Sequence, residues 1–388
     1  MTVPILSDQP NQTDALAFSR YADLLTKIIM DAEMLPFTIG IFGDWGSGKT
    51  TLMRMIQSQL DEDECKMVWF NAWKYDDKQY LSKAFLKVIH DKVWASNDLS
   101  ADVFKDVVER VGNLLGKTFT DKPLGSIFFE TFSLDPAFQN LLEETTQEMI
   151  DRYVGKTGRL VIFVDDLDRC LPENTITILE TLKQYLDHAR CIVVLGIDKE
   201  TIENAIGNRY PFLKMSGKDY LEKIVQIPFI IPQANQHLMS QYLSGCHLLD
   251  GKKVGDFKQL SKILLSGSGL NMRRLKRLVN QLNLAMGMAG IDKIDEMEWA
   301  VLVKLLVLQT RFVDFFSVVR YHADAIFRFH QLLAADDEAR VNVLHTLPQL
   351  EVYLENQSLC TFFMETQSIT CTNVQQVEKL LQLAIVAK

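Results

Sequence analysis

The sequence predicts an α/β protein in which a parallel sheet lies between layers of helices, followed by a wholly helical region. Between residues 36 and 233, short apolar runs alternate with helical patterns, and the middle runs are continuous, as expected for strands covered on both faces. After Pro232 no convincing strand pattern appears, and residues 237–388 have helical periodicity. The composition, 47% hydrophobic and 23% charged, is typical of a folded globular chain.

The predicted elements follow one another in a regular order. An amphipathic helix is predicted over residues 14–33, and Pro36 ends it. Strands are predicted at Phe37–Phe42, Met67–Asn71, Leu160–Val164, Cys191–Ile197 and Ile224–Ile231. Helices are predicted between them, notably at Thr51–Leu60, Pro172–Asp187 and Lys199–Ile206. This alternation is typical of a three-layer domain with a parallel sheet.

We expect four regions along the 388 residues. Residues 1–35 are predicted to form an N-terminal helix that packs on the core, and residues 36–233 the α/β domain. Within that domain a mostly helical insertion, residues 74–158, separates the second and third strands. The helical part is divided into a lid, residues 234–292, and a C-terminal region, residues 293–388.

Charge, cysteines and hydropathy exclude several classes of protein. The net charge of −9 argues against a broadly basic nucleic-acid-binding protein. The six cysteines are scattered without a C-x-x-C pair, so neither a disulfide framework nor a zinc site is expected. The N-terminus lacks the pattern of a signal peptide. The apolar stretch 299–319 is interrupted by three charges and predicts a buried helix. A cytoplasmic protein is the expectation.

Residues Gly43–Thr50 match G-x-x-x-x-G-K-[ST], the Walker A pattern of a phosphate-binding loop, and a strand before it and a helix after it supply the required context. Glycines let backbone N–H groups surround a phosphate, and the helix N-terminus adds partial positive charge. Lys49 is expected to reach the β- and γ-phosphates, and Thr50 to bind magnesium. The predicted nucleotide-binding residues of the loop are Gly43, Gly46, Ser47, Gly48, Lys49, Thr50 and Thr51.

A second acidic motif, residues 165–168, ends the strand predicted at Leu160–Val164, as in a Walker B site. A carboxylate at the carboxyl end of a parallel strand can hold magnesium, and Asp165 is predicted in that role. Asp166 is predicted to orient or deprotonate the attacking water, and it joins Lys49 as a catalytic candidate. Asp168 is a weaker candidate for the same task and a candidate helix cap.

The nucleotide is predicted to be ATP. GTPases usually carry D-x-x-G in the second motif and N-K-x-D later in the chain, whereas this sequence has Asp165-x-x-Asp168 and no [NT]-K-x-D. The seven histidines form no H-x-x-x-H pair, so magnesium is the only metal predicted.

A basic helix in the lid is predicted at Asn271–Asn280. Arg273, Lys276 and Arg277 lie on one helical face together with Asn280, while apolar residues form another face. The favoured interpretation is that this cationic face closes over bound phosphates, which makes Arg273 a candidate catalytic and phosphate-binding residue. Nucleic-acid binding is the second interpretation, and a solvated face is the third.

Three other polar residues have open assignments. Asp198 follows the fourth strand and is predicted either to sense the γ-phosphate or to cap the next helix. Arg169 and Arg209 are candidates to reach a neighbouring subunit's γ-phosphate if the protein assembles, with a surface arginine as the alternative for each.

In this order, the motifs resemble the KAP family of P-loop NTPases. The likeness is carried by the loop with its tryptophan (residues 40–50), the segment Trp-Phe-Asn-Ala-Trp-Lys-Tyr (69–75), the acidic motif (165–170), residues 220–229 and the basic helix. The resemblance implies an ATPase fold of the additional-strand type, in which Lys49, Thr50 and Asp165 hold Mg-ATP and Asp166 supports hydrolysis.

The resemblance also implies a bacterial protein linked to phage exclusion, and membrane helices inserted in the nucleotide domain. The apolar part of the insertion, Leu124–Phe132, is too short to span a bilayer, so no membrane span is expected here.

The predicted function is a Mg-ATP-dependent regulatory switch with slow or trigger-dependent hydrolysis, in bacterial anti-phage defence. A motor stimulated by nucleic acid and a scaffold that binds ATP without hydrolysis are the alternatives. An unidentified protein partner is expected, a homo-oligomer is a further alternative, and nucleic acid is the second choice of partner.

Overall fold

The computed structural model describes residues 4–8, 14, 16–33, 35–75, 81–94, 144, 146–148, 150–185, 190–209, 216–249, 251–289, 296–368 and 373–387. The chain divides into two compact units. We call Phe18–Pro232 the α/β unit, and Met1–Ala17 together with Gln233–Lys388 the helical unit. The apolar segment Leu124–Phe132 lies outside the described residues.

A five-stranded parallel sheet forms the centre of the α/β unit. The strand order is β2-β3-β4-β1-β5, and each ladder is parallel. The α/β class predicted from the alternation of strands and helices is therefore confirmed. The strand β4 lies between β1 and β3, which is the additional strand that the family resemblance implied. The bounds are β1 Phe37–Phe42, β2 Cys65–Asn71, β3 Arg159–Asp165, β4 Cys191–Ile197 and β5 Ile227–Ile230.

The sheet brings the ends of four strands to one edge. Every residue of β4 is buried, and so is every residue of β3 after Arg159, which explains why both are continuous apolar runs. In the register, Asn71 of β2 lies beside Asp165 of β3, and Phe42 of β1 lies beside Ile197 of β4. The polar residues that end or follow these strands therefore meet where ligands bind in open α/β sheets.

Helices flank the strands in sequence within the α/β unit. The helix α3 belongs to the predicted insertion, residues 74–158, and is helical as expected. The described helices are α1 (Ser19–Asp31), α2 (Lys49–Gln59), α3 (Leu81–Trp94), α4 (Pro172–Tyr185), α5 (Lys199–Arg209) and α6 (Gly217–Ile224).

The predicted starts of the first helix and of the last strand are wrong for local backbone reasons. The helix predicted over residues 14–33 begins only at Ser19, because Ala17 has φ 53°, a left-handed conformation that interrupts a right-handed helix. The strand predicted from Ile224 begins at Ile227 instead, because Ile224 is the last residue of α6. Pro228 has no backbone N–H to donate, and it is accommodated because β5 lies at the edge of the sheet with a neighbouring strand on one side only.

The described part of the helical unit contains no strand, as predicted, and only an isolated bridge joins His247 to Lys253. A single cluster of buried apolar side chains extends from Met239 to Ala387 and so includes residues of both predicted helical regions. The helices are α7 (Gln236–Ser244), α8 (Lys258–Ser268), α9 (Met272–Ala289), α10 (Glu296–Arg311), α11 (Val313–Tyr321), α12 (Ala325–Ala334), α13 (Asp337–Thr346), α14 (Gln357–Glu365) and α15 (Val374–Val386).

The central helix of this cluster is α10, whose residues Trp299–Gln309 are all buried. An uninterrupted buried segment explains the apolar stretch noted in the sequence, and protein side chains surround it on every face. Among the described residues, no helix has the length and apolar character needed to cross a bilayer.

Lys304 lies inside the core of the helical unit with only 1% of its surface exposed. Its ammonium nitrogen is 2.5 Å from Nε2 of His330 and 4.6 Å from the ring centroid of Phe363, and it donates to the carbonyl of Thr366. Burial lowers the pKa of Lys304 from 10.5 to about 7, and burial together with the Lys304 charge lowers the pKa of His330 to about 3. The core therefore contains a cation that burial disfavours.

Replacing Lys304 by Met should stabilise the protein below pH 7 by about 1–3 kcal/mol, because it removes a buried charge and keeps the side-chain volume. Between its folded pKa of about 7 and its ordinary value of 10.5, folded wild-type protein binds fewer protons than unfolded protein, so its stability rises with pH. The advantage of the variant should therefore shrink as pH rises through this range. Urea unfolding followed by circular dichroism measures both effects.

The exposed Lys262 on α8 offers a matched control, because Lys262→Met removes a solvated charge and should change stability little at either pH. A Lys304→Met protein that is less stable than wild type below pH 7 would contradict this account of the buried charge.

Candidate functional site

The loop that follows β1 has the backbone conformation that its glycines predict. Gly46 and Gly48 have φ of 83° and 103°, in the left-handed region that favours glycine. A Cβ at Gly43 would lie 2.6 Å from the Ser47 hydroxyl, so this position has no room for a side chain. The α2 helix begins at Lys49, directly after Gly48, and its first N–H groups lie at the loop.

The Lys49 ammonium is held inside the loop. Its side chain is 8% exposed, and Nζ donates to the carbonyl oxygen of Gly43 at 2.7 Å. The same nitrogen lies 3.2 Å from Oδ2 of Asp168. The sequence placed Asp168 second to Asp166 for positioning water, whereas the structure places its carboxylate against the loop lysine.

The two predicted magnesium ligands lie side by side. Thr50, on the first turn of α2, donates from Oγ1 to Oδ1 of Asp165 at 3.2 Å. Asp165 ends β3 and is 3% exposed. Burial, and then the neighbouring charge of Asp166, raise the pKa of Asp165 from 3.8 to about 6. A hydroxyl and a carboxylate therefore converge at a buried point where an additional positive charge would be stabilised.

The Asp166 carboxylate is fixed by one hydrogen bond and one ion pair from its own chain. Asn71 Nδ2 donates to Oδ2 at 2.7 Å, and Arg169 Nε lies 2.8 Å from Oδ1. The backbone of Asp166 has φ 58°, a left-handed conformation that turns the chain sharply after β3. These contacts fix the direction of the carboxylate and occupy both of its oxygens.

Two exposed tryptophans flank Arg169. Its guanidinium carbon lies 5.3 Å from the ring centroid of Trp45 and 5.2 Å from that of Trp73, distances at which a cation is attracted to an aromatic ring. Trp45 belongs to the phosphate loop and Trp73 to the turn after β2. Arg169, offered from sequence as a finger toward a neighbour, therefore contacts its own site.

The remaining candidates fall in different places. Ser47 lies in the loop with a buried hydroxyl that has no hydrogen-bond partner among the described residues. Thr51 follows Thr50 on α2 and is half-buried. Asp198 accepts a hydrogen bond from the N–H of Thr201, which is the cap geometry offered as its alternative role. Arg273 belongs to the helical unit, where its Nε lies 4.0 Å from Asp8. Arg209 is the last residue of α5.

Asn71 was not predicted as a site residue from the sequence. Asn71 was noted only within a motif, yet it ends β2 beside Asp165 and binds Asp166. The available signal was its position at the carboxyl end of a predicted strand, because parallel strands deliver such residues to one edge. The order of the strands in the sheet could not be predicted from the spacing of the motifs along the chain.

These residues fit a nucleotide phosphate with magnesium. The buried Lys49 ammonium and the unpartnered Ser47 hydroxyl are donors within the loop, as phosphate oxygens require. Thr50 and Asp165 supply the hard oxygen ligands that magnesium prefers. In addition, burial and the neighbouring Asp166 raise the pKa of Asp165, so a cation bound there would favour its charged form.

The parallel sheet with its glycine loop, loop lysine and acidic β3 terminus defines a P-loop NTPase. A family model described as the KAP family P-loop domain matches residues 18–287, which is most of the chain. The protein therefore belongs to the KAP family, as the resemblance in the sequence predicted.

Comparison with individual proteins gives more distant matches. The "Phage T7 exclusion protein" of Escherichia coli (strain K12) is 22% identical over 250 residues, covering 57% of this chain and 33% of that protein. The chain thus spans about a third of the length of this relative.

Solved structures match this chain at low similarity. The Aeropyrum pernix ORC1 protein in complex with DNA has a TM-score of 0.40 and 13% identity, covering 98% of this chain and 86% of that one. The Walker-type ATPase paby2304 of Pyrococcus abyssi has a TM-score of 0.38 and 10% identity, covering 97% and 99%. At these values the likeness carries no argument about function.

Replacing Asp165 by Asn should stabilise the nucleotide-free protein near pH 8 by about 2 kcal/mol, because it removes a buried charge and keeps an acceptor for Thr50. Between pH 3.8 and about 6, folded wild-type protein binds more protons than unfolded protein, so its stability falls as pH rises through that range. The gain of the variant should accordingly be present near pH 8 and shrink toward pH 4.

Denaturant unfolding in a chelating buffer without nucleotide measures this difference. Asp63, an exposed acid before β2, serves as the control, and Asp63→Asn should leave stability within about 0.5 kcal/mol of wild type. Loss of stability in Asp165→Asn near pH 8 would show that the carboxylate is not a source of electrostatic cost in the free protein.

Proposed function

We propose that this protein is a Mg-ATP-dependent regulatory switch whose hydrolysis is slow until a trigger acts. The observation that carries the proposal is the state of the two catalytic candidates. Lys49 is engaged by Gly43 and Asp168, and both carboxylate oxygens of Asp166 are engaged by Asn71 and Arg169. Lys49 must exchange Asp168 for phosphate before it can act on a nucleotide, whereas Asn71 and Arg169 keep Asp166 in one orientation.

ATP binding is assigned to the loop Gly43–Thr50 and to Thr51. The backbone N–H groups of the loop and of the α2 N-terminus would donate to the phosphates, and the Lys49 ammonium would leave Asp168 for the β- and γ-phosphates. Thr50 and Asp165 would hold magnesium, which supplies charge neutralisation across the phosphate oxygens when it is bound.

The proposed role of Asp166 is to orient the attacking water. A carboxylate that accepts one hydrogen bond and forms one ion pair retains acceptor lone pairs for water. Asn71 and Arg169 act as positioning residues, because each fixes one oxygen of Asp166. Slow turnover is supported by Lys49, whose ion pair with Asp168 must open before the ammonium can reach the phosphates.

A lid role for Arg273 remains a proposal, motivated by its place on the cationic face of α9. The same face supports the second candidate function, a motor stimulated by nucleic acid through phosphate contacts. Arg273 and Arg277 lie 4.0 and 3.1 Å from the carboxylate of Asp8, and the segment that contains Asp8 covers this face. Because a segment of the same chain already occupies this cationic face, the switch is favoured over the motor. A scaffold that binds ATP without hydrolysis is the third candidate.

The proposed biological role is anti-phage defence in the bacterial cytoplasm. It is supported by the family and by the similarity to a phage exclusion protein, which extends over about a third of that relative. The trigger is proposed to be a protein partner or self-association.

The direct test is steady-state ATP hydrolysis by the purified protein with magnesium, with Lys49→Ala as the blank. The proposal predicts Mg-dependent ATP binding with turnover well below about 1 s⁻¹, the lower end of ordinary enzymes. It also predicts a change of protease resistance or hydrodynamic size between the ATP-bound and nucleotide-free protein. Fast turnover that rises with added DNA or RNA and falls with salt would replace the switch with the motor.

Replacing Arg169 by Ala should lower the single-turnover hydrolysis rate about 10–100-fold, because Asp166 loses the ion pair that fixes its direction. ATP affinity should change less than about threefold, since the described contacts of Arg169 are with the Asp166 carboxylate and the rings of Trp45 and Trp73, not with the loop amides or Lys49. Arg169→Lys should recover part of the rate. Rapid-mixing hydrolysis and equilibrium binding separate the two effects.

The matched control is Arg152→Ala, a surface arginine of the same unit that forms an ion pair with Glu148, one helical turn away. It should leave both rate and affinity near wild type. Equal losses of affinity and rate in Arg169→Ala would indicate a structural rather than a positioning role.

A further inference from the structure

The N-terminal arm, residues 4–8, lies along α9 in the helical unit. The arm is bound by five side chains at positions i, i+3, i+4, i+7 and i+10 of α9, which lie on one side of the helix, namely Arg273, Lys276, Arg277, Asn280 and Asn283. The cationic face that the sequence predicted as a lid or nucleic-acid surface thus has an occupant from its own chain.

Asn280 reads the peptide backbone of the arm. Its Oδ1 accepts from the N–H of Leu6 at 2.7 Å, and its Nδ2 donates to the carbonyl of Leu6 at 2.9 Å. An amide side chain that pairs with both polar groups of one residue recognises an extended peptide in the way a neighbouring strand does. A ligand for this position must therefore present a donor and an acceptor together.

Two further donors continue the backbone recognition. Asn283, which is fully buried, donates to the carbonyl of Pro4 at 3.0 Å, and its Oδ1 accepts from the N–H of Leu249. Lys276, only 8% exposed, donates to the carbonyl of Ser7 at 3.0 Å. A buried ammonium and a buried amide aimed at the arm are costly to leave unpaired, so they favour an occupied state.

The last residue of the arm, Asp8, forms an ion pair with α9. The Asp8 carboxylate accepts from Nε and Nη2 of Arg277 at 3.2 and 3.1 Å, and Arg273 lies 4.0 Å away. Upstream, the Leu6 side chain packs against the core of the helical unit, while Ile5 is 74% exposed. Alternating inward and outward side chains are those of an extended strand.

The chemistry of these contacts favours a peptide over a nucleic acid. Phosphates and sugars could satisfy Arg273, Lys276 and Arg277, but a phosphodiester backbone has no N–H to donate to Asn280. The apolar surroundings of the Leu6 side chain likewise suit an apolar side chain of a peptide. Residues 4–8 belong to the helical unit and lie in no helix or strand, so the arm is an extended segment that contacts α9 through its backbone and Asp8.

We propose that α9 carries a binding site for an extended peptide with an acidic side chain at its C-terminal end, and that residues 4–8 are its releasable intramolecular ligand. The site selects a backbone through Asn280, an apolar anchor at the position of Leu6, and a carboxylate through Arg277. Release of the arm exposes the cationic face. This inference is independent of ATP hydrolysis, and its readout is peptide binding.

The test uses the full-length protein and a fluorescent peptide with the sequence of residues 1–14. Asp8→Arg in the protein should loosen its own arm and open the site, whereas the wild-type arm competes at a high effective concentration. Fluorescence anisotropy should show that the peptide binds the Asp8→Arg protein at least about tenfold more tightly than wild type. A peptide that itself carries Asp8→Arg should bind at least about tenfold more weakly.

Asn280→Leu, added to the Asp8→Arg protein, should weaken peptide binding by about tenfold or more, because both backbone bonds are lost. Gln281→Leu in the same background is the matched control, since this neighbouring amide makes no bond to the arm among the described residues. Hydrogen exchange of the wild-type protein adds a readout without a second molecule. The Leu6 amide should be protected, and Asn280→Leu alone should abolish that protection while leaving the exchange of α10 unchanged.

Equal peptide affinity with and without Asn280→Leu would overturn the proposal, as would an unprotected Leu6 amide in wild type. Displacement of the peptide from the Asp8→Arg protein by equimolar single-stranded DNA would also overturn it, in favour of a phosphate-binding surface.

Discussion

The α/β unit depends on the concentration of charge at one edge of a buried parallel sheet. Asp165, Asp166 and Asp168 follow or end a single strand, and one ammonium, that of Lys49, lies among them. In an interior of low polarity each carboxylate needs a partner, and the chain provides Thr50 for Asp165, Lys49 for Asp168, and Asn71 with Arg169 for Asp166. Burial and the neighbouring Asp166 raise the pKa of Asp165, so a cation bound beside it would stabilise its charged form.

The family and the fold class were readable from the sequence because they depend on local patterns. The loop Gly43–Thr50 and the strand Cys191–Ile197 are each one continuous segment of the sequence. The structure has that strand with the predicted bounds. The start of α1 and of β5 was misjudged, because the left-handed Ala17 and the helical Ile224 leave no signal in an apolar pattern.

Contacts between residues that are far apart in the chain could not be predicted from the sequence. Asn71 meets Asp166 only because β2 and β3 are neighbours in the sheet, and strand order is not written in spacing. Asp8 meets Arg277 across 269 positions, so the cationic face of α9 could be predicted, but not its cover. In both units a charged group is engaged by another part of the same chain: Asp168 pairs with Lys49 in the α/β unit, and Asp8 pairs with Arg277 in the helical unit. Each proposal requires that cation to exchange its present partner for a ligand.

The measurement that tests the central claim most directly is a comparison of four affinities for a non-hydrolysable ATP analogue. Wild type and Asp165→Asn are each titrated calorimetrically, with magnesium and with a chelator. If Asp165 and Thr50 hold the metal of a bound nucleotide, magnesium should tighten binding at least about tenfold in wild type and less than about twofold in the variant, with similar affinities in the chelator. An equal magnesium effect in both proteins would contradict the account.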